Sequence, residues 1–295
     1  MSVGRTIVAG VTDTRGIVHP RTGFEHFSLD RFPPSPALAA FTDRFWLVRW
    51  DLPPEEVFVQ PVLAHPCVNL VIEPDRAAMY GVPTVIGRQT LRGQGWALAV
   101  MFRPGGARVF LPGPATEMVD QVRTVEQLWG PDGEDLVAGV RAALSDTALS
   151  GTALSGTALS GTALSDDAIS SAAQLMDDFL TKRIPDSPGP AAAAAIGAAE
   201  LIAADRRLTT VEQLATRTGR SVRGLQRLFA EHVGLSPKQV VRRYRLLEAA
   251  EAAAAGTPVV WAEVAAELGF ADQAHLTREF GKAFGVPPAR YLRGS

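Results

Sequence analysis

Polar side chains that can pair with the edges of DNA bases recur at helical spacing in two stretches near the end of the chain. They are Arg223, Gln226 and Arg227 in the first stretch and Gln273, Thr277 and Arg278 in the second. Arginine can donate two hydrogen bonds to guanine, glutamine can pair with adenine, and threonine can contact the methyl group of thymine. The chemistry that these residues suit is therefore recognition of base pairs in a major groove.

The two stretches are copies of one supersecondary unit. With an offset of 51 residues, the copies pair Leu225 with Leu276, Arg227 with Arg278, Phe229 with Phe280, Gly234 with Gly285 and Pro237 with Pro288. Upstream of the turn the offset is 50, and it pairs Leu214 with Val264, Ala215 with Ala265 and Gly219 with Gly269. One additional residue in the second turn explains the change of offset.

Each copy has the residues that a helix-turn-helix requires. A small residue, Ala215 or Ala265, lets two helices approach closely, and a glycine four positions later supplies the left-handed conformation that turns the chain. Ser221 and Asp272 are placed to cap the next helix through a side-chain oxygen. The alternative is a purely structural helical protein with solvated polar faces, and the tandem repetition favours DNA reading over it.

Four stretches between Ala198 and Ser295 carry a family resemblance. They are S-V-R-G-L-Q-R-L-F (Ser221–Phe229), G-L-S-P (Gly234–Pro237), L-G-F-A-D-Q-A-H-L-T-R-E-F (Leu268–Phe280) and G-V-P-P-A-R-Y (Gly285–Tyr291). In these stretches the chain resembles the AraC/XylS family of transcription regulators. The resemblance implies seven helices, with a long helix at about Pro237–Ala255 joining the two motifs. It also implies that the two recognition helices enter successive major-groove segments, about 34 Å apart.

By position, the resemblance assigns base reading to Arg223, Gln226, Arg227, Gln273, Ala274, Thr277 and Arg278. Ala274 departs from the family, in which a polar residue often stands there, so the second motif is expected to read fewer bases. For Arg278, the alternative role is a salt bridge that braces its own helix. Phosphate contacts are expected at the helix N-termini and at Arg220, Ser221, Lys238, Arg242 and Arg243.

The charge of the chain is unevenly divided. Residues 200–295 carry 14 Lys and Arg against 10 Asp and Glu, whereas the remaining residues carry 15 against 21. A basic part beside an acidic part is typical of proteins in which only one domain meets phosphates. The 295 residues are enough for two domains. Because the sequence has neither an apolar run of membrane-spanning length nor a signal-peptide pattern, we expect a cytoplasmic protein without membrane association.

Residues 1 to about 130 are predicted to be mostly β. Turn sequences such as DLPPEE and RPGG separate short apolar runs, which are Phe45–Trp50, Val57–Val62, Val68–Ile72 and Trp96–Phe102. Such spacing suggests a small barrel or sandwich. The stretches HPCVNLVI, VIGRQT, MFRPGGA and VEQLWG are similar to the sensory domain of some AraC-like regulators. This similarity implies a β-rich, cupin-like domain that binds an effector or mediates dimerisation.

Between these two parts, helical patterns alternate with turns and a repeat. The patterns predict helices at Glu117–Trp129, Glu134–Leu144 and Asp166–Arg183, with GPDG as the turn between the first two. The pentapeptide TALSG repeats from Thr147 with a period that fits neither a helix nor a strand, so we interpret it as a linker. The predicted domains are residues 1–145 for sensing or dimerisation, 146–190 for a repeat-bearing linker and helix, and 191–295 for DNA binding.

Few residues of the N-terminal half suit catalysis. Cupin oxygenases bind iron through two histidines and a carboxylate. This half holds only His19, His26 and His65, without a His-x-His pair, so neither a metal nor another cofactor is expected. An effector is expected near Trp46, His65 and Arg103. Alternatively, Trp46 belongs to an aromatic core and Arg103 pairs with a carboxylate of its own domain.

The sequence therefore predicts an α+β protein of two domains, a β-rich cupin-like one followed by an all-α double helix-turn-helix, and no enzyme activity. Double-stranded DNA and a small-molecule effector are the expected partners, with RNA polymerase and a second copy of the chain as further candidates. The alternative function is a sensor-enzyme hybrid, in which modification of Cys67, the single cysteine, switches DNA binding. In the first interpretation Cys67 is a small hydrophobe of the core.

Overall fold

The computed structural model describes residues 14–145, 164–186, 189–254 and 259–291, and the repeat that begins at Thr147 lies outside them up to residue 163. Within the described residues the first domain begins with a short helix, α1 (Pro20–Gly23), and has eight strands. The strands are β1 (Phe27–Phe32), β2 (Thr42–Asp51), β3 (Val57–Val62), β4 (Asn69–Ile72), β5 (Ala77–Tyr80), β6 (Gly87–Arg92), β7 (Gln94–Phe102) and β8 (Val122–Thr124). The four predicted strands are confirmed as β2, β3, β4 and β7, with β4 beginning one residue later than its predicted run.

Six strands form an antiparallel sheet in the order β1-β2-β7-β4-β5-β8, and β3 pairs with β6 in a separate ribbon. Side chains alternate between the two faces of the sheet, as the pleat requires. Phe45, Leu47 and Leu98 point to one face and are fully buried in the main hydrophobic core. Trp46 and Ala99 lie on the other face, in a smaller apolar cluster.

Two helices follow the sheet. Helix α2 (Val125–Ser145) has a kink at Gly130, whose φ is 55°, immediately before Pro131. Helix α3 (Asp166–Thr181) packs against α2, which confirms the prediction of a helix in this segment.

The predicted helix at Glu117–Trp129 is wrong over most of its length. A 3-10 turn at Ala115–Met118 precedes β8, which pairs with β5 and forms one edge of the sheet. Without β8, β5 would be an edge strand and would present backbone N–H and C=O groups that need partners. Val122–Thr124 supplies these partners and is therefore a strand. Only Val125–Trp129 joins α2.

The second domain is helical, as predicted. Across its described residues it has seven helices, α4 (Gly189–Ala204), α5 (Val211–Thr218), α6 (Val222–His232), α7 (Pro237–Ala254), α8 (Trp261–Glu267), α9 (Gln273–Phe284) and α10 (Pro288–Tyr291). The pairs α5–α6 and α8–α9 are the two expected helix-turn-helix units, and α7 is the expected long helix between them.

The two turns and their caps are formed as the sequence predicts. Gly219 and Gly269 have left-handed φ values of 64° and 75°. The backbone N–H of Gly224 donates to Ser221 Oγ (3.1 Å), and the backbone N–H of His275 donates to the carboxylate of Asp272 (2.6 Å). Each cap satisfies an amide at the start of a helix that otherwise lacks a partner.

A buried arginine holds α7 against α4. The guanidinium of Arg245 is paired with the carboxylate of Glu248, and both side chains are 2% exposed. Its other terminal nitrogen donates to the carbonyl oxygens of Ile202 (2.6 Å), Asp205 (2.8 Å) and Leu208 (3.2 Å). These carbonyls lie at the end of α4 and in the loop before α5, so Arg245 joins α7 to the first helix-turn-helix.

The two helix-turn-helix units also touch each other directly. A Cβ atom added at Gly269, in the second turn, would lie 2.5 Å from Cβ of Thr209, just before α5. Gly219, in the first turn, has the same left-handed backbone, but a Cβ atom added there would have no neighbour within 4 Å. An alanine at either position would carry the strain of a left-handed backbone, but only an alanine at Gly269 would also collide with a neighbour.

We expect Gly269→Ala to destabilise the chain more than Gly219→Ala. The left-handed backbone alone costs an alanine about 1–2 kcal/mol, and the collision with Thr209 adds about 1–3 kcal/mol at position 269. Urea unfolding of the full chain measures both free energies of unfolding. Equal losses for the two variants would mean that Thr209 moves aside without cost.

Candidate nucleic-acid interface

Helix α6 presents a polar face to solvent and an apolar face to the core. Leu225 and Phe229 are fully buried, and with Leu228 they form the stripe that fixes the rotation of the helix about its axis. The candidate base-reading residues on the opposite face are exposed, namely Arg223, Gln226 and Arg227. The N-terminal end of the helix is therefore open for contact with a groove.

Helix α9 has the same arrangement. Leu276, Phe280 and Phe284 are buried, whereas Gln273, Ala274 and Arg278 are exposed and Thr277 is half-buried. Within the described residues Arg278 forms no ion pair, so the alternative role of bracing its own helix is not observed. The neighbouring residue Glu279 forms an ion pair instead. Its side chain is buried and pairs with Arg242 of α7, so it joins α9 to α7.

The five candidate phosphate ligands differ in their surroundings. Arg220 and Lys238 are exposed, and Ser221 caps α6 with its hydroxyl oxygen. Arg242 is half-exposed and is already engaged by Glu279. Phosphate contact through these four residues stays a prediction.

The expectation of a phosphate contact at Arg243 is wrong for this arrangement of the chain. Its side chain is buried and donates to the carbonyl oxygens of Ala64 (2.9 Å) and Pro83 (2.8 Å) in the first domain. Burial lowers the pKa of Arg243 from its usual value. Arg243 therefore joins the two domains.

Known proteins match both parts of the chain. Residues 214–294 match a family described as a helix-turn-helix domain, and residues 30–124 match a domain of unknown function, DUF6597. The chain is 35% identical over 81 residues to the "Probable transcription factor PqrA" of Proteus vulgaris, covering 28% of this chain and 66% of that protein. It is 34% identical over 83 residues to the multiple antibiotic resistance protein MarA of Escherichia coli K12, covering 28% and 64%. The matches thus span just under two thirds of these relatives.

A solved structure adds a third likeness. A "probable AraC family transcriptional regulator" from Rhodopseudomonas palustris is 31% identical, with 34% of this chain and 94% of that chain covered and a TM-score of 0.31. The chain belongs to the AraC/XylS family. Its two helix-turn-helix units form the AraC-type domain, while the match of the first domain assigns that domain no activity.

In this AraC/XylS chain the two domains are joined by charged pairs as well as by a continuous core. The guanidinium of Arg108 donates to the carboxylate of Glu231 on α6 (2.8 Å), and Arg103 pairs with Glu200 on α4. Glu231 is half-buried on α6, where its carboxylate is paired with the first domain. These pairs lie away from Arg223 and Gln226, which stay exposed.

The three candidate effector residues have different surroundings. Trp46 donates to Asn69 Oδ1 (3.3 Å) within the smaller apolar cluster of the sheet. His65 lies edge-on to Tyr244 of α7, with 6.2 Å between ring centroids. Arg103 donates to the carbonyl of Ala39 (2.8 Å) and pairs with Glu200. Two of the three candidates therefore contact the C-terminal domain. The carboxylate partner of Arg103 belongs to that domain and not to its own.

Cys67 lies in the core and is 2% exposed. Burial raises the pKa of its thiol to about 12, and the nearby carboxylate of Asp43 acts in the same direction. Only a thiolate reacts readily with alkylating or oxidising agents. The cysteine-switch alternative therefore has no support, and Cys67 behaves as a small hydrophobic residue.

Neither a metal cluster nor a membrane span is found in the part of the chain that the structure describes. No group of three or more His, Cys, Asp or Glu side chains there is arranged to hold a metal ion. No helix of those residues is both long and apolar enough to cross a membrane.

The sequence reasoning missed three contacts of α7, made by Arg242, Arg243 and Arg245. The sequence led us to expect phosphate contacts at Arg242 and Arg243, and it assigned no role to Arg245. Since successive residues of a helix point about 100° apart, Arg242 and Arg243 cannot share one face. The helical spacing could have shown that these two arginines point in different directions, but it could not have shown which groups each arginine contacts.

We expect Cys67 to resist labelling in the folded protein. With a pKa of about 12, on the order of one thiol in 10⁴ is ionised at pH 8. Absorbance at pH 8 with Ellman's reagent should show slow reaction of the native chain and stoichiometric reaction in urea. Complete native labelling within minutes would contradict this expectation.

Proposed function

We propose that this chain is a sequence-specific, DNA-binding transcription regulator, in which α6 and α9 enter two adjacent segments of one major-groove face. One observation carries the proposal. Both helices are capped at their N-termini and backed by buried stripes, and they expose the side chains that can read base edges. Family membership supports the same conclusion.

Within this function the exposed residues have two tasks. Arg223, Gln226 and Arg227 of α6 read bases, as do Gln273, Thr277 and Arg278 of α9. Arg220, Ser221 and Lys238 contact phosphates and orient the domain without reading sequence. Because Ala274 stands where the family often has a polar residue, we expect α9 to read fewer bases than the family pattern allows.

The first domain modulates DNA binding and has no catalytic role in this proposal. Residues 1–145 sense or dimerise, residues 146–190 link, and residues 191–295 bind DNA. The contacts of Arg108 with Glu231 and of Arg103 with Glu200 support a physical route from the first domain to α6 and α4. A small-molecule effector, a second copy of the chain or RNA polymerase would act through this route, in the cytoplasm.

Selection of bound sequences from random DNA with the full chain tests the proposal. We expect enrichment of one asymmetric site whose two groups of specified bases lie about 10 base pairs apart, since two such helices need one turn of DNA. A doubled site would add dimerisation to the function. Binding without enrichment, which only weakens as salt rises, would refute sequence-specific regulation.

We expect Arg227→Ala to weaken binding to the selected site by about 1–3 kcal/mol and to change binding to random DNA little. Binding isotherms on both DNAs measure the difference. An equal loss on the two DNAs would mean that Arg227 contacts only phosphate.

Lys238→Ala is the matched control for Arg227→Ala. Both residues are exposed cations of the same domain. Loss of a phosphate contact should weaken binding to both DNAs alike and lower the salt dependence by about one ion. A loss at Lys238 that is confined to the selected site would contradict its assignment as a phosphate ligand.

A further inference from the structure

Glu279 is a buried carboxylate on the helix that carries the second set of base-reading residues. It is 7% exposed and follows Arg278 directly. Its carboxylate pairs with the guanidinium of Arg242 on α7, and Lys282 Nζ lies 3.2 Å from its Oε1. An apolar residue at position 279 would be the ordinary choice for a helix packed on another helix.

The ion pair with Arg242 fixes the position of Glu279, and with it the position of α9 on α7. A buried carboxylate is costly unless a cation compensates it, so α9 is held in the position where Glu279 reaches Arg242. Apolar contacts between α7 and α9 would tolerate small slides and rotations more readily, because they are not directional. The ion pair therefore restricts how α9 sits on α7.

The same long helix is fixed to the first helix-turn-helix. Arg245, three residues after Arg242, holds the carbonyls of Ile202, Asp205 and Leu208. The next residue, Thr209, makes the close contact with Gly269. In addition to its apolar packing on α7, the second unit is thus attached to the first by the ion pair on α7 and by the turn at Gly269.

We propose that Arg242 and Glu279 are positioning residues that set the separation and rotation between α6 and α9, and so the spacing between the two groups of bases that the chain recognises. The inference rests on the proposed DNA-binding function. It gives Arg242 a task other than the phosphate contact expected from the sequence.

The number of base pairs between the two recognised groups of bases is a sensitive measure of how rigidly α6 and α9 are connected. One inserted base pair moves the second group of bases by about 3.4 Å and turns it by about 35° around the helix axis. A domain with a rigid connection between its reading helices cannot follow this movement without losing contacts. A domain with a loosened connection can follow it in part.

The test uses the full chain and variants of its selected site with one base pair added or removed between the two groups. We expect the natural chain to lose about tenfold or more in affinity for either altered spacing, because base contacts of one helix are lost. Glu279→Gln and Arg242→Ala should reduce this penalty to less than about threefold, since α9 can then shift on α7. Arg242→Lys keeps the cation and should restore most of the discrimination.

The effect of Glu279→Gln, compared with that of one control variant, separates a positioning role of Arg242 from a phosphate contact. If Arg242 bound phosphate and Glu279 only competed for it, Glu279→Gln would strengthen binding to all DNA and leave the spacing penalty unchanged. That result would overturn the inference. Glu263→Gln makes the same chemical change at an exposed carboxylate of α8 and should leave the spacing penalty unchanged.

A measurement without DNA keeps this inference distinct from the proposed function. Spin labels at Gln226→Cys and Ala274→Cys report the distance between α6 and α9, and the native Cys67 is buried. Glu279→Gln should broaden the distance distribution relative to the natural chain. An unchanged distribution would overturn the inference whatever the DNA results are. A broadened distribution in a chain that selects no DNA site would refute only the proposed function.

Discussion

The guanidinium of Arg245 is enclosed by protein on all sides, and its charge must be compensated there. Glu248, one turn along the same helix, supplies the counter-charge, and the carbonyls of Ile202, Asp205 and Leu208 accept hydrogen bonds from one terminal nitrogen of the guanidinium. Removing either ion would leave the other buried without a counter-charge, which costs several kcal/mol. The end of α4, the loop before α5 and the helix α7 are therefore held in one arrangement, on which both helix-turn-helix units are built.

Helix α7 extends this arrangement in two other directions. Arg243 binds the carbonyls of Ala64 and Pro83 in the first domain, and Arg242 binds Glu279 of α9. Because each residue of a helix points about 100° from the preceding one, one stretch of α7 can reach three different bodies. The first domain also contacts α6 through Glu231, near the end of the helix, and leaves the exposed face with Arg223 and Gln226 uncovered. The domains can thus be joined without blocking the reading helices.

Local patterns predicted some elements well and failed where a distant partner decided the structure. Short apolar runs between turn sequences identified β2 and β7, which pair with each other in the interior of the six-stranded sheet. The segment from Glu117 has a helical pattern, yet Val122–Thr124 became a strand because the edge of β5 offers backbone partners. Likewise, the exposure of Arg223, Gln226 and Arg227 follows from the stripe of Leu225 and Phe229. The burial of Arg243 depends on carbonyls about 160 residues or more away along the chain.

The sequence by itself determined the elements whose physics is local. Two glycines that accept a left-handed backbone, two capping side chains and two apolar stripes are enough to specify a repeated helix-turn-helix and the residues on its outer face. Tertiary structure alone decided which cations are free to meet DNA. A charged side chain is exposed or buried according to the partners that folding brings to it, so Arg242, Arg243 and Arg245 look alike in sequence and differ in role. The same holds for Cys67, since the core around it, and not its neighbours in the chain, buries the thiol and raises its pKa.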